Sequence, residues 1–128
     1  MAYEIIWQKD GLYCHMHGRV PISEIVRSIE DETADPRYNF ASYRITDFLH
    51  VSDHNATLAD AEGLSTIDAV RKELNANLLD AILVTDPFIT KLVGHWVATN
   101  ERPDQIGIFI NLDDAKVWLS GRLGKNID

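Results

Sequence analysis

Apolar residues recur along this chain at two spacings, every second residue in some stretches and every third or fourth in others. The switching between them predicts the elements. In Tyr3 to Gln8, Tyr3, Ile5 and Trp7 alternate with Glu4, Ile6 and Gln8, which predicts a strand. Lys9-Asp10-Gly11 is a hairpin turn signal. A second strand, Leu12 to His17, sets Leu12, Cys14 and Met16 on one face and Tyr13, His15 and His17 on the other, and Gly18 is read as its end. Pro21 opens a helix at a position where its missing N–H costs nothing. Ile22, Ile25, Val26 and Ile29 then form one apolar stripe. Glu30-Asp31-Glu32 reads as a solvated charge run on a fraying helix end, because acids there oppose the dipole. Asp35-Pro36 is the stop.

A third strand is expected over Ser42 to Leu49, and the polar stretch His50 to Ala56 reads as a loop. Thr57 with Asp60 has capping-box spacing. Leu58, Ala61 and Leu64, then Ile67, Val70, Arg71 and Leu74, give either one helix weakened at Gly63 or two short ones. The short apolar run Asp80 to Val84 suits a strand covered on both faces. Thr85 is expected to cap the next helix, with Pro87 just inside it. Phe88, Ile89, Leu92, Val93, Trp96 and Val97 form the strongest amphipathic pattern in the chain. Ile106 to Ile110 is the last strand, and Asn111 starts a helix whose buried stripe is Leu112, Ala115, Trp118 and Leu119, ended by Gly121 or Gly124. The order is ββαβαβαβα: an antiparallel hairpin leading into right-handed crossovers, hence an α/β domain with a five-stranded mixed sheet and about four helices.

The 128 residues fit one domain, taken as 1–128. A content of 45% hydrophobic and 25% charged residues excludes wholesale disorder. The net charge of −8 argues against nucleic acid and against anionic membrane surfaces. Cys14 is the single cysteine, which excludes an intramolecular disulfide and a thiolate zinc site. The first ten residues lack the basic start and apolar run of a signal peptide, and no stretch is apolar enough for membrane insertion, so a cytoplasmic location is expected.

Three features resemble the STAS-like superfamily (sulfate transporter and anti-sigma factor antagonist domains), in particular its small stand-alone bacterial members. They are the opening hairpin Tyr3 to His17 ending in Gly18 before a short helix, the strand Tyr43 to Leu49 running into a polar loop before the second helix, and the closing Ile108-Phe109-Ile110-Asn111-Leu112-Asp113-Asp114-Ala115-Lys116-Val117-Trp118-Leu119. The resemblance implies non-enzymatic work: binding a partner protein, or sensing a small or lipophilic ligand. Regulatory members carry Asp-Ser-(Ser, Thr or Ala)-Gly after the third strand, where the serine is phosphorylated. Here that place reads His50-Val51-Ser52-Asp53-His54-Asn55-Ala56-Thr57, with no Asp-Ser pair and no glycine. Ser52 lies nearby but outside the motif, so the switch is not carried over.

Candidate chemistry is sparse. His50 and His54 are four apart with Asp53 between them, but they straddle a strand end and a loop, where that spacing loses its helical metal-binding meaning. Polar loop residues are the plain reading; an enzyme using these three is the weakest. His15 and His17 share a strand face with Tyr13, and His50 joins them if the neighbouring strand presents the same face. Cys14, between Leu12 and Met16, reads as a buried inert thiol. No metal and no cofactor is expected.

In open α/β sheets, ligands approach beyond the carboxyl ends of the parallel strands. Those ends bring Asp47, His50, Asp53, His54, Thr85, Asp86 and Asn111 toward one rim, the expected recognition surface. Helix N-termini there favour anions, while the aspartates repel them. A protein partner's basic side chain, or a small apolar or zwitterionic ligand, fits that conflict better than a phosphate. The apolar helix Phe88 to Val97 offers a surplus that reads either as a homodimer face through Phe88, Leu92 and Trp96 or as the wall of an apolar ligand pocket beneath it. A regulatory protein-interaction module is the leading reading, and a small-ligand or lipid-binding domain the alternative.

Overall fold

The computed structural model describes residues 2–127. Strands β1 (Tyr3–Trp7) and β2 (Gly11–Val20) form the antiparallel hairpin, in register Tyr3 to Met16 through Trp7 to Leu12. Strands β3 (Tyr43–His54), β4 (Leu79–Leu83) and β5 (Ile106–Phe109) add in parallel, giving the spatial order β1-β2-β3-β4-β5. Helices α1 (Ile22–Ala34), α2 (Leu58–Leu74), α3 (Pro87–Ala98) and α4 (Leu112–Leu123) complete the expected ββαβαβαβα order.

This strand order decides where the helices lie. When each parallel strand pairs with the next, crossovers of one hand all pass over the same face. Residues of α1, α2 and α3 accordingly pack on the face carrying Cys14, Phe48, Ile82 and Val84. Helix α4 follows the last strand and folds onto the other face, over Ile45, Ala81 and Leu83. It reaches β4 and β5, while His17 and His50 on the same face of β2 and β3 are exposed. One face is therefore covered throughout and the other only in part.

Several boundaries differ from those the sequence suggests. Gly18 does not end β2: with φ +69 it sits in a bulge, and the strand runs on to Val20. Strand β3 likewise continues through His54, so residues 50–54 are not loop. Partner pairs step from His15–Asp47 to His17–His50, and from Gly18–Val51 to Arg19–Asp53, so β3 absorbs one extra residue twice. Two bulges break the alternation that marks a strand in sequence. Helix α1 is intact to Ala34, and Glu32 within the supposed solvated run is fully buried.

Helix α2 is one continuous helix with a Thr57–Asp60 capping box. It buries Ala61, Asp68 and Arg71, and exposes Leu58, Val70 and Leu74. Asp86, not Thr85, caps α3: its carboxylate accepts from the Phe88 and Ile89 amides, both at 2.9 Å. Asp86 directly precedes Pro87, which as the first helical residue makes Asp86 the cap. Gly124, left-handed at φ 68, ends α4.

The homodimer face expected on α3 needs correction. Leu92 and Trp96 are 6% and 8% exposed within the chain itself, packed against Ile82, Val84 and Phe48, so they belong to the core. Of the three, Phe88 alone offers surface, at 38%.

Candidate functional site

Four groupings emerge once the expected rim residues are placed. At the carboxyl ends of β3 and β4, His54 stacks on Phe88 with ring centroids 5.4 Å apart. Its Nε2 lies 3.9 Å from the Asp86 carboxylate, and its Nδ1 accepts from the Ala56 amide at 3.3 Å. Exposed Leu58 begins α2 just beyond. Asp53 is more peripheral, 3.8 Å from Arg19 with both side chains largely in water. Thr85 is exposed beside Asp86, and Asn111 is spent on capping α4, where it accepts from the Asp114 amide at 2.8 Å. The rim thus offers one ring and one imidazole flanked by acid.

Asp47 and His50 separate from that rim. The bulge in β3 turns His50 onto the partly open face, where its ring centroid is 5.1 Å from that of His15. His15 is stacked between His17, at 5.6 Å, and Tyr13, at 6.5 Å. Asp47 is buried beneath them, accepting from the Tyr13 hydroxyl and the Leu49 amide, with the His15 Nδ1 at 3.4 Å. Burial first, and then the Asp47 carboxylate, raise the Tyr13 pKa. His50 and His54 therefore serve different surfaces and do not form the pair their spacing suggested. Among the described residues no group of three His, Cys, Asp or Glu is placed to hold a metal ion.

A third grouping escaped the sequence reading. Arg44 donates through Nε and Nη2 to the two oxygens of Glu32, and its Nη1 is 3.4 Å from Asp80. Arg71 donates to Asp80 at 2.9 Å and to the Tyr38 hydroxyl at 2.9 Å, with Asp68 at 3.4 Å. All of these side chains are buried. Desolvation pulls the Arg44 pKa down, but the Glu32 and Asp80 carboxylates outweigh it and raise it well above the usual guanidinium value. Both arginines are thus charged, facing three carboxylates. The signal was present in sequence: Glu32 lies three residues beyond Ile29 on the α1 stripe, Arg44 alternates with Thr46 and Phe48, and Arg71 falls on the α2 stripe. A charge on an apolar stripe is a buried charge in waiting, and it needs a partner.

The fourth grouping is a cavity between the covered face and helices α1, α2 and α3. It has two adjoining lobes of about 70 Å³ and about 50 Å³ that share Ile25, Phe48, Leu64, Leu92 and Val93. The larger lobe is bounded by Thr46, Ile82 and Trp96, with Arg44 and Arg71 at one end. The smaller reaches Val20, Ile22, His54 and Ala56, so it ends under the rim. Thr46 Oγ1 and Trp96 Nε1 are buried polar atoms with no hydrogen-bond partner. Cys14, on the same face of the sheet, is inert: burial pushes its thiol up to about 12.

No protein-family model matches the sequence, and no curated protein sequence matches it. Among solved structures the chain is similar to the anti-sigma factor antagonist SpoIIAA in its unphosphorylated form. The TM-score is 0.63 at 10% identity, over 96% of this chain and 98% of that one. At that identity the likeness is one of fold. The chain has the fold of an anti-sigma factor antagonist, the STAS fold that its element order and closing segment resemble.

Proposed function

We propose that this chain is a non-enzymatic protein-interaction module of STAS type, and that its partner docks on the rim of His54, Asp86 and Phe88. The observation that carries the reading is the fold likeness to an anti-sigma factor antagonist across nearly the full length of both chains. The rim's chemistry supports it. An aromatic ring 38% exposed beside a carboxylate, on a chain of net charge −8, suits a partner that brings an apolar side chain and a basic one. No phosphorylation switch is part of the proposal, because Ser52 stands within β3 and outside the motif that the switch uses. Action in the cytoplasm, and a two-fold dimer that leaves the Phe88 ring free for the partner, complete the reading. Light scattering at twice the chain mass, unchanged by Phe88→Ala, checks the dimer.

A photo-crosslinking amino acid at position 88 tests the docking site against the same group at position 50, on the partly open face. A discrete protein adduct formed from position 88 and absent from position 50 supports the rim. The reverse pattern contradicts it.

One observation favours a second reading, a small-ligand-binding domain: an apolar cavity lies beneath α3, walled by Ile25, Phe48, Leu64, Ile82, Leu92 and Val93.

A further inference from the structure

We infer that the free edge of β5 binds a second copy of this chain, the two β5 strands pairing antiparallel about a two-fold axis at Ile108 so that one sheet runs through both copies. This rests on the dimer reading above and gives that dimer its surface.

Strand β5 ends the sheet, with β4 as its only neighbour. Its register with β4, and the Phe109 carbonyl accepting from the Val84 amide at 3.0 Å, turn the backbone groups of Gly107 and Phe109 inward. Those of Ile106 and Ile108 therefore point outward, as does the Ile110 amide that follows in alternation. Of these, the Ile106 amide is taken by the Pro103 carbonyl. Centring the axis on Ile108 lets its amide and carbonyl exchange bonds with the same groups of the second copy. It also lets the Ile110 amide donate to the Ile106 carbonyl across the axis. Centring it one residue either way leaves at least one of these groups unpaired.

The side chains fit the same arrangement. Ile108 and Ile110 are 39% and 69% exposed, and the pairing sets Ile108 against Ile108 and Ile110 against Ile106. Residues 105–111 carry no charge, in a chain of net charge −8, so two copies approach here with least repulsion. The strand's two ends carry opposite charges. Arg102 is exposed before it and Asp113 is exposed after it, and neither has an ion pair among the described residues. Asp104 is already beside Arg122, at 3.9 Å. An antiparallel two-fold brings the Arg102 end of one copy to the Asp113 end of the other, twice, and so is self-complementary. The opposite edge lacks these features: β1 carries Glu4, Tyr3 donates to Asp31 of α1, and Arg37 lies over the Trp7 ring. Phe88 stacks on His54 at the end of β3, two strands away from β5, so the rim stays open in the dimer.

The test combines light scattering with amide hydrogen exchange on the full chain. The unmodified protein is expected at twice the chain mass, and Ile108→Lys, which sets two cations on the axis, at one chain mass with unchanged circular dichroism. The Ile110 amide should exchange at least about ten-fold faster in Ile108→Lys than in the dimer. Arg102→Glu should weaken the dimer about ten-fold, and Arg102→Glu/Asp113→Arg should recover most of that loss. These surface variants keep the test decisive if Ile108→Lys fails to fold. A dimer indifferent to Arg102→Glu, or one whose Ile110 amide exchanges freely, overturns the β5 edge and leaves the dimer reading standing. Masses rising beyond two chains mean head-to-tail joining of edges and overturn the two-fold pairing. A single-chain mass for the unmodified protein overturns the edge and the dimer together.

Discussion

The two faces of the sheet carry similar residue types and use them in opposite ways. Beneath α1, α2 and α3, Glu32, Arg44, Asp80 and Arg71 are shut away from water and pair with one another. On the partly open face, His17 and His50 stand in solvent, and Asp47 alone is buried, held by Tyr13 and the Leu49 amide. The difference follows from strand order: sequential parallel pairing sends every crossover helix to one side, and α4 alone is left for the other. A charge under the crossover helices is a structural commitment, while a charge on the open side costs little to change. The proposed recognition site, the rim of His54, Asp86 and Phe88, lies at the carboxyl ends of β3 and β4.

The sharpest way to break this contrast is Arg44→Met. It leaves Glu32 buried without its counter-charge and should cost about 3–5 kcal/mol in chemical denaturation. His50→Ala, on the open side, should stay within about 0.5 kcal/mol. Equal effects would erase the distinction between the faces. Leu92→Ala should cost about 2–3 kcal/mol, since it enlarges a cavity already beside that side chain. Loss of a dimer with an unchanged unfolding midpoint would instead return Leu92 to an interface. Thr46→Val removes an unpartnered hydroxyl and should raise stability by about 1 kcal/mol.

The smallest effect is on pH dependence. Cys14 and Tyr3 each have pKa values raised to about 12, both chiefly by burial, Tyr3 with a further contribution from Asp31. The folded state therefore holds these protons more tightly than the unfolded chain. Their contribution is fully present below the ordinary thiol value of 9.0 and is lost as pH rises from there toward about 12. Denaturation midpoints flat from pH 7 to about 8.5 and falling above it would agree. A midpoint that climbs over that alkaline range would not.

Much of the fold was legible because local signals agreed with the global one. The Lys9-Asp10-Gly11 turn, the Thr57–Asp60 capping box and the Asn111 cap each mark a boundary that the structure keeps. Strand β3 was misread past Leu49 because its two bulges erase the alternation from which strands are recognised. The same bulge puts His50 beside His15, a meeting that depends on register and is invisible in a spacing. Glu32 was misread because an acidic run at a helix end usually faces water; its place on the Ile25–Ile29 stripe was the better guide. Trp96 was legible as core from the α3 stripe, but that it and Thr46 each bury a polar atom without a hydrogen-bond partner appears only in the three-dimensional packing.

The central claim, recognition at the rim, is tested most directly by calorimetric titration of the protein crosslinked at position 88, once isolated, against three forms of this chain. These are the unmodified protein, Asp86→Asn/Phe88→Ala and His17→Ala/His50→Ala. Asparagine keeps the α3 cap while removing the charge. The account predicts at least about ten-fold weaker binding for the rim variant and a change under about two-fold for the open-face variant. Undiminished binding by the rim variant, with the loss appearing in His17→Ala/His50→Ala, would contradict it.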